Sequence, residues 1–270
     1  MQVTAMNKIN TFLLLIFIPV MLAACSSSAP LTMMSYQKKR VMDLNEKALY
    51  AAERGNLQVA GQQLAEALRL SSSLDDREGQ TLSLLNMARL SRRNNDAKSA
   101  ADYADTALHV ARGTAMLPDA LQEKALQEIK AGNLKEARSF AERSLESEPG
   151  PLKGRRLNLL ARISYLSGNL DECTIYLNKA LPLNSTLALQ EERANTIRLA
   201  GIVNMAKKNL KDAERELLEA LAIDRELAIP LRLQKTLRHW AGFTEKQGTG
   251  EKQMSMVKEP KRQETTSNIR

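Results

Sequence analysis

Small and large apolar residues return along this chain at fixed distances from a series of turn positions. Around Gly55, a small residue lies seven positions before the centre, and Leu or Ala residues lie two, five, nine, twelve and thirteen positions after it. The same pattern recurs around four further centres, which are Asn95, Gly132, Gly168 and Lys208. Neighbouring centres are 40, 37, 36 and 40 residues apart, which is the range of solenoid repeats.

Each repeat is predicted to contain two helices. Before each centre, apolar residues recur at helical spacing, as in Leu44, Ala48 and Ala51, and a second apolar stripe follows the centre. A glycine at the centre supplies the left-handed conformation that ends the first helix. Small residues on both helices let their axes approach to about 8–10 Å. The sequence therefore predicts five consecutive helical hairpins.

These features resemble the tetratricopeptide repeat (TPR). The small–Gly–Leu–Ala–Leu–Ala skeleton matches the family pattern over about residues 36–225, and Pro149 stands at the family's terminal proline. The resemblance implies an all-α fold, an α-solenoid of about five TPR-like helical hairpins. A further apolar stripe from Pro230, which includes Trp240, predicts a C-terminal capping helix that covers the last hairpin, and Trp240 is expected to pack there. An ordinary helical bundle is the alternative.

The first residues, 1–24, have the pattern of an export signal. Lys8 precedes an apolar run from Phe12 to Leu22, and small residues follow the run. Translation starts at Met1 or Met6. A permanent membrane-spanning helix is the alternative, but the run is about half of the roughly 20 residues that a span requires.

Leu22-Ala23-Ala24-Cys25 resembles the bacterial lipobox. The resemblance implies that the export signal is a lipoprotein signal peptide and that Cys25 is acylated and becomes the first mature residue. Two acyl chains already suffice for stable membrane attachment. Ser26 follows in place of the aspartate that, in the enterobacterial sorting rule, retains lipoproteins at the inner membrane. We therefore expect a lipid-anchored protein at the outer membrane, facing the periplasm. A chance cysteine in an ordinary leader is the alternative.

The predicted organisation has four parts. They are a lipoprotein signal peptide over 1–24, the lipidated cysteine and tether over 25–34, the TPR-like repeat domain over 35–246, and a disordered polar tail over 247–270.

Composition adds little to this organisation. A net charge of +8 permits anionic partners without identifying one. If Cys25 carries lipid, Cys173 is the one remaining cysteine, and it occupies a slot that holds alanine in the other four repeats. We therefore interpret Cys173 as a small buried residue rather than a reactive thiol.

Candidate chemistry is sparse. His109 and His239 have no cysteine or other histidine at ligand spacing, and the chain has no P-loop, Gly-x-Gly-x-x-Gly or Gly-x-Ser-x-Gly motif. Carboxylates such as Glu142, Glu146 and Glu148 are interpreted as solvated. We predict no enzymatic activity, no cofactor, no metal and no small-molecule substrate. Nucleic acid is disfavoured because an exported chain does not meet it.

In the TPR family the first helix of each hairpin lines a concave groove. The resemblance implies that the side chains ten, six and three residues before each centre point into the groove. The charged side chains among them are all positive. The predicted partner-binding residues are Asn45, Arg89, Arg92, Gln122, Asn158, Arg162, Tyr165 and Arg198. Arginine can hold a carboxylate bidentately, so we expect a protein partner with an acidic or C-terminal segment. The alternative is that these arginines are solvated or pair with neighbouring acids.

The function implied by the resemblance is a lipid-anchored periplasmic scaffold that mediates protein–protein interactions in cell-envelope assembly. Two more specific alternatives stay open. One is a pilotin-type assembly factor for a type IV pilus or secretin. The other is an adaptor that regulates cell-wall enzymes or envelope proteases.

Overall fold

The computed structural model describes residues 36–228 and 230–247. The predicted signal peptide, Cys25, the tether and the predicted tail after Gln247 lie outside the described residues. By its internal contacts the chain divides into Met1–Lys39 and Arg40–Arg270, and the packing described below is that of the second unit.

The described residues form eleven α-helices and one short 3-10 helix, Leu187–Leu189, and contain no strand. The α-helices are α1 (Tyr36–Glu53), α2 (Leu57–Ser73), α3 (Arg77–Arg93), α4 (Ala97–Ala111), α5 (Leu117–Ala131), α6 (Leu134–Glu146), α7 (Lys153–Leu166), α8 (Leu170–Leu183), α9 (Gln190–Ala206), α10 (Leu210–Glu226) and α11 (Pro230–Gln247). Successive pairs from α1–α2 to α9–α10 form five hairpins, and α11 packs on the last. The predicted all-α class and the TPR-like solenoid are confirmed.

All five predicted centres adopt the left-handed backbone conformation. Their φ angles are 84° at Gly55, 60° at Asn95, 86° at Gly132, 78° at Gly168 and 64° at Lys208. At each centre the N–H of the next residue donates to the carbonyl five residues before it, at 2.9 Å. This 6→1 bond is the Schellman motif that closes a helix C-terminus. The repeat phase predicted from the sequence is therefore correct in every hairpin.

Small residues lie where the two helices of a hairpin approach each other. Ala161 of α7 is buried in a cluster with Cys173 and Leu177 of α8. In the fifth hairpin the same position is Gly201, where an added Cβ would lie 2.9 Å from Cγ of Leu217. Burial raises the pKa of the Cys173 thiol to about 11, so its interpretation as a small buried residue agrees with the structure.

The last helix covers the fifth hairpin through Trp240. This side chain is buried and packs with Ala213 and Leu217 of α10, with Met205 of α9 against the same cluster. The prediction that a capping helix covers the last hairpin, with Trp240 packed between them, is confirmed. Helix α11 also brings polar side chains alongside α9, and these help to form the site described next.

Candidate partner-binding groove

A pocket of about 450 Å³ lies along the first helices of the last three hairpins and α11. Helix α5 contributes Gln122 and Leu126, and α11 contributes Lys235 and His239. Helix α7 contributes Arg155, Asn158, Leu159, Arg162, Tyr165 and Leu166, and α9 contributes Glu192, Asn195, Arg198, Leu199 and Ile202. We call this cavity the α5–α11 pocket. Its walls combine an apolar surface with several charged groups.

Five of the eight predicted groove residues line this pocket. They are Gln122, Asn158, Arg162, Tyr165 and Arg198. Asn45, Arg89 and Arg92 lie on α1 and α3 and are not among its lining residues. The contacts of these eight side chains decide which of them can meet a partner.

The position of Asn45 corrects the sequence prediction. Its side chain is 2% exposed. Its amide donates to Oγ of Ser83 at 3.0 Å, and its carbonyl oxygen accepts from Nδ2 of Asn86 at 2.9 Å. Asn45 therefore connects α1 to α3 by hydrogen bonds within the array, and its buried side chain is not accessible to a partner.

Arg89 and Arg92 of α3 share one carboxylate on α5. Nε of Arg89 lies 3.4 Å from Oε2 of Glu123, and Nη1 of Arg92 contacts Oε1 of the same side chain. The Glu123 side chain is 1% exposed. Since a buried carboxylate needs paired charge, these two arginines neutralise Glu123 and join the second and third hairpins. This is the pairing with acids that the sequence left open as an alternative.

Arg198 lines the pocket, but its charge is paired within the protein. Its side chain is almost fully buried on the pocket floor, and Nη2 donates to both carboxylate oxygens of Asp224. Nη1 donates to Oδ1 of Asn195, and Nε donates to Oγ1 of Thr236. All three nitrogens are thus occupied, and the residue joins α9 to α10 and α11.

Gln122 is bound in a polar cluster that the sequence did not reveal. Its carbonyl oxygen accepts from Nη1 of Arg156 at 2.6 Å. The Arg156 side chain is fully buried and also contacts Asp119 at 3.1 Å and Glu148 at 3.0 Å. Glu148 was interpreted as solvated, and its burial beside Arg156 corrects that interpretation.

Asn158 and Arg155 of α7 contact the next hairpin. Nδ2 of Asn158 donates to the Glu192 backbone carbonyl at 3.2 Å, and its Oδ1 accepts from Oγ1 of Thr196 at 2.9 Å. Nε of Arg155 lies 3.5 Å from Oε1 of Glu192, and its Nη1 lies 3.8 Å from Oδ1 of Asp119. Burial lowers the pKa of the Arg155 guanidinium. Arg155 thus has two carboxylates beside it.

Arg162 differs from the other two arginines that line the pocket. Its side chain is exposed, and no described residue forms a hydrogen bond or ion pair with it. Desolvation by surrounding protein lowers the pKa of its guanidinium, and the nearby charge of Arg92 lowers it further. Arginine stays protonated in proteins. Arg162 therefore places a cation in the pocket without a counter-charge among the described residues.

Helix α11 adds His239 to the same wall. Desolvation lowers the pKa of this imidazole from its usual 6.5, and the charges of Lys235, Arg198 and Arg238 lower it further. At neutral pH the ring is therefore uncharged and can donate one hydrogen bond and accept another.

Two features are absent from residues 36–228 and 230–247. No group of three or more His, Cys, Asp or Glu side chains there is arranged to hold a metal ion. None of the helices in these ranges is both long and apolar enough to cross a membrane.

No protein-family model and no curated protein matches the sequence, but solved structures match the fold. PilF of Pseudomonas aeruginosa superposes with a TM-score of 0.54 at 13% identity, covering 82% of this chain and 99% of its own. A thermophilic TPR protein of Thermus thermophilus gives 0.54 at 16%, covering 73% and 98%. The fold is that of tetratricopeptide repeats.

A third TPR-like match was solved with a bound peptide. The Rap conjugation gene regulator of plasmid pLS20, in complex with the Phr* peptide, gives a TM-score of 0.65 at 14% identity. The match covers 84% of this chain and 62% of the regulator. At such identities the likeness shows the fold alone, so the function of this chain has to be argued from its own groove.

Proposed function

We propose that this protein is a non-enzymatic scaffold that holds a segment of a partner protein in the α5–α11 pocket. The observation that carries the proposal is the composition of the pocket. Apolar side chains such as Leu126 and Ile202 line the same pocket as Arg162, whose cation has no counter-charge among the described residues. A concave apolar surface with a few convergent polar groups is the usual form of a binding site.

The TPR-like fold supports a peptide rather than a small molecule as the occupant. The pocket is built from four alternate helices, α5, α7, α9 and α11, so a chain segment can contact several repeats at once. The Rap regulator, which has a similar fold, was solved with a peptide. Solenoids use extended surfaces of this kind for binding.

We further propose that the scaffold is lipid-anchored through Cys25 and works at the periplasmic face of the outer membrane, in cell-envelope assembly. The support is the lipobox-like Leu22-Ala23-Ala24-Cys25 sequence with Ser26 after it. Only about ten residues separate Cys25 from α1, which limits the tether to roughly 35 Å when fully extended. The array would therefore begin close to the membrane.

The two narrower functions remain alternatives to general scaffolding. An adaptor that regulates cell-wall enzymes or envelope proteases would use the same pocket. A pilotin-type role in assembling a type IV pilus or secretin is the other. The similarity to PilF, at 13% identity, supports the fold without distinguishing between these roles.

Site-specific photocrosslinking in intact cells tests the scaffold. A photoreactive phenylalanine analogue is placed at Ile202 inside the pocket or, as the matched control, at Ile175 of α8, which is 54% exposed and does not line the pocket. The expected result is one or a few defined protein adducts from Ile202 that Ile175 does not give. Identical adduct patterns at both positions, or no adduct at Ile202, would refute the proposed use of the pocket.

A further inference from the structure

The charge of the α5–α11 pocket is not balanced. Four lining side chains are cationic and one is a carboxylate: Arg155, Arg162, Arg198 and Lys235 against Glu192. Asp224 neutralises Arg198, and both Glu192 and Asp119 lie beside Arg155. Of the three arginines, Arg162 alone has no counter-charge among the described residues. An anionic group of the occupant would supply the missing partner, and a carboxylate fits the fork of a guanidinium.

An apolar surface adjoins this cation in the same pocket. Leu166 follows Arg162 by one helical turn on α7 and is 45% exposed. Residues four apart on a helix have Cβ atoms about 5–6 Å apart on the same face. Leu199 and Ile202 of the neighbouring α9 line the same pocket. An occupant that covered this surface would remove several apolar side chains from water.

The spacing of cation and apolar surface selects a geometry for the occupant. In an extended chain, alternate side chains point the same way and lie about 6.5 Å apart. An acidic residue and a large aliphatic residue separated by one residue would therefore reach Arg162 and the Leu166–Ile202 surface together. Adjacent residues would point to opposite sides and reach only one of them.

We propose that the α5–α11 pocket recognises an extended peptide segment in which Asp or Glu lies two positions from Leu, Ile or Met. This inference rests on the proposed scaffold function and names the chemistry of its partner. The chain's own tail is a poor occupant, because residues 248–270 carry five basic side chains and three acidic ones. A cationic segment would meet the repulsion of Arg162.

Nuclear magnetic resonance titration of the full-length protein in detergent micelles tests the motif. The probes are acetyl-Gly-Ser-Leu-Ser-Glu-Ser-Gly-amide and the same peptide with Leu and Glu exchanged. Blocked ends leave the glutamate as the only charge. We expect at least one of the two peptides to shift the Nε–H resonance of Arg162 and the methyl resonances of Leu166 and Ile202. A peptide with Gln for Glu should bind about tenfold more weakly, because a charge-assisted bond is lost.

Two more peptides separate the motif from its parts. Replacing Leu by Ser tests whether the anion alone suffices, and placing Leu next to Glu tests the spacing. Both should bind more weakly than the better probe. If the Leu-to-Ser peptide binds equally well, the pocket is a general anion site and the proposal is wrong. If the adjacent-residue peptide binds equally well, the extended geometry is wrong.

Protein variants provide the second arm. Arg162→Gln and Leu166→Ser change exposed side chains. Each should abolish the difference in affinity between the better of the two probes and the altered peptides. Arg143→Gln removes the same charge on α6, a helix that contributes no lining residue to the pocket, and should leave this difference in affinity unchanged. Circular dichroism confirms that each variant is folded. Unaltered discrimination in Arg162→Gln would overturn the assignment of the anion to this residue.

The two proposals fail in different ways. Adducts at Ile202 in cells without any peptide preference would preserve the scaffold and refute the motif. If the protein distinguishes the peptides but Ile202 gives no adduct that Ile175 lacks, the motif would be supported and the scaffold function in cells would be refuted.

Discussion

Nη2 of Arg198 lies 2.9 Å from Oδ1 and 2.7 Å from Oδ2 of Asp224, although the two side chains are only 2% and 0% exposed. Thr236 of α11 completes the cluster, since its hydroxyl accepts from Arg198 and donates to Asp224. The cluster therefore joins α9, α10 and the capping helix. Removing one member would leave a charge buried without its partner.

We predict that Asp224→Ala lowers the free energy of unfolding by about 3–5 kcal/mol, because Arg198 would remain buried and unpaired. The matched control is Asp212→Ala on the same helix, which removes an exposed ion pair with Arg215 and should cost less than about 1 kcal/mol. Urea unfolding measures both. The double variant Arg198→Met, Asp224→Leu should be less destabilised than Asp224→Ala. Similar small losses for Asp224→Ala and the control would contradict a structural role for the pair.

Substitutions at the left-handed turns should change the stability of the array in opposite directions. Gly168→Ala should destabilise the array by about 1–2 kcal/mol, the cost of the left-handed conformation for an L-residue. No atom lies within 4 Å of a Cβ added there, so sterics contribute nothing else. Lys208→Gly, at φ 64°, should stabilise by up to about 1 kcal/mol.

Gly61→Ala is the control for the turn variants. Gly61 lies inside α2, and an added Cβ would meet only Cδ2 of Leu90, at 3.9 Å. Alanine is preferred to glycine in a helix, so this change should stabilise by about 0.5–1 kcal/mol. If Gly168→Ala and Gly61→Ala shift the urea midpoint in the same direction, the turn assignment is refuted.

The Glu172 carboxylate should make the stability of the fold depend on pH. Nη1 and Nη2 of Arg138 donate to its two oxygens at 2.8 and 2.6 Å, and Ser164 donates to one of them at 2.7 Å. The hydrogen bond from Arg138 is the main cause that lowers the pKa of Glu172, followed by the bond from Ser164. The stability from these bonds is present above the usual carboxyl pKa of 4.5 and is lost as pH falls through the lower folded value.

Glu172→Gln should therefore be less stable than wild type at pH 7, with the difference shrinking once the pH falls below about 4.5. Unfolding in urea at a series of pH values from 7 to 3 measures this difference. A difference that stayed constant over the whole range would show that the ionised carboxylate contributes nothing.

The lipid anchor predicts a separation of attachment from folding. Cys25→Ser should abolish partitioning into the detergent phase and into the membrane fraction, because the acylated sulfur is lost. Cys173→Ala is the matched control, since alanine fills this slot in the other four repeats, and it should remain attached. Circular dichroism should be the same for both. Retention of Cys25→Ser in the membrane fraction would show that the protein is not held by lipid at this residue.

The turns and small contact positions of the hairpins could be predicted from the sequence because they are local requirements. Gly132 and Gly168 satisfy the left-handed turn, and Ala125 and Ala161 fill the close helix contact. Each requirement is repeated five times in phase, so the pattern identified the fold even where Lys208 replaces glycine.

The groove was predicted less well because side chains at one of its offsets are already bound within the protein. The side chains ten residues before the centres, such as Asn45, Gln122 and Arg198, are buried in contacts with neighbouring helices, although Gln122 and Arg198 also line the pocket. Those six before, such as Leu126 and Arg162, line the pocket as well. The partners of the buried set are not visible in one sequence, since Arg198 and Asp224 are 26 residues apart and meet only after the helices pack.

The central claim is that Arg162 and its apolar neighbours hold a protein segment. Arg89 is unsuitable for testing it, because a glutamate there would face the buried Glu123. The direct measurement is the affinity of the full-length protein for the partner captured through Ile202, with wild type, Arg162→Glu and the control Arg143→Glu. Binding is compared at 0.1 M and 1 M salt, where the Debye length falls from about 10 to about 3 Å.

We predict that Arg162→Glu weakens binding at 0.1 M salt by more than about tenfold, that Arg143→Glu leaves it unchanged, and that 1 M salt weakens the wild type. Equal affinity of wild type and Arg162→Glu for the captured partner at both salt concentrations would contradict the account.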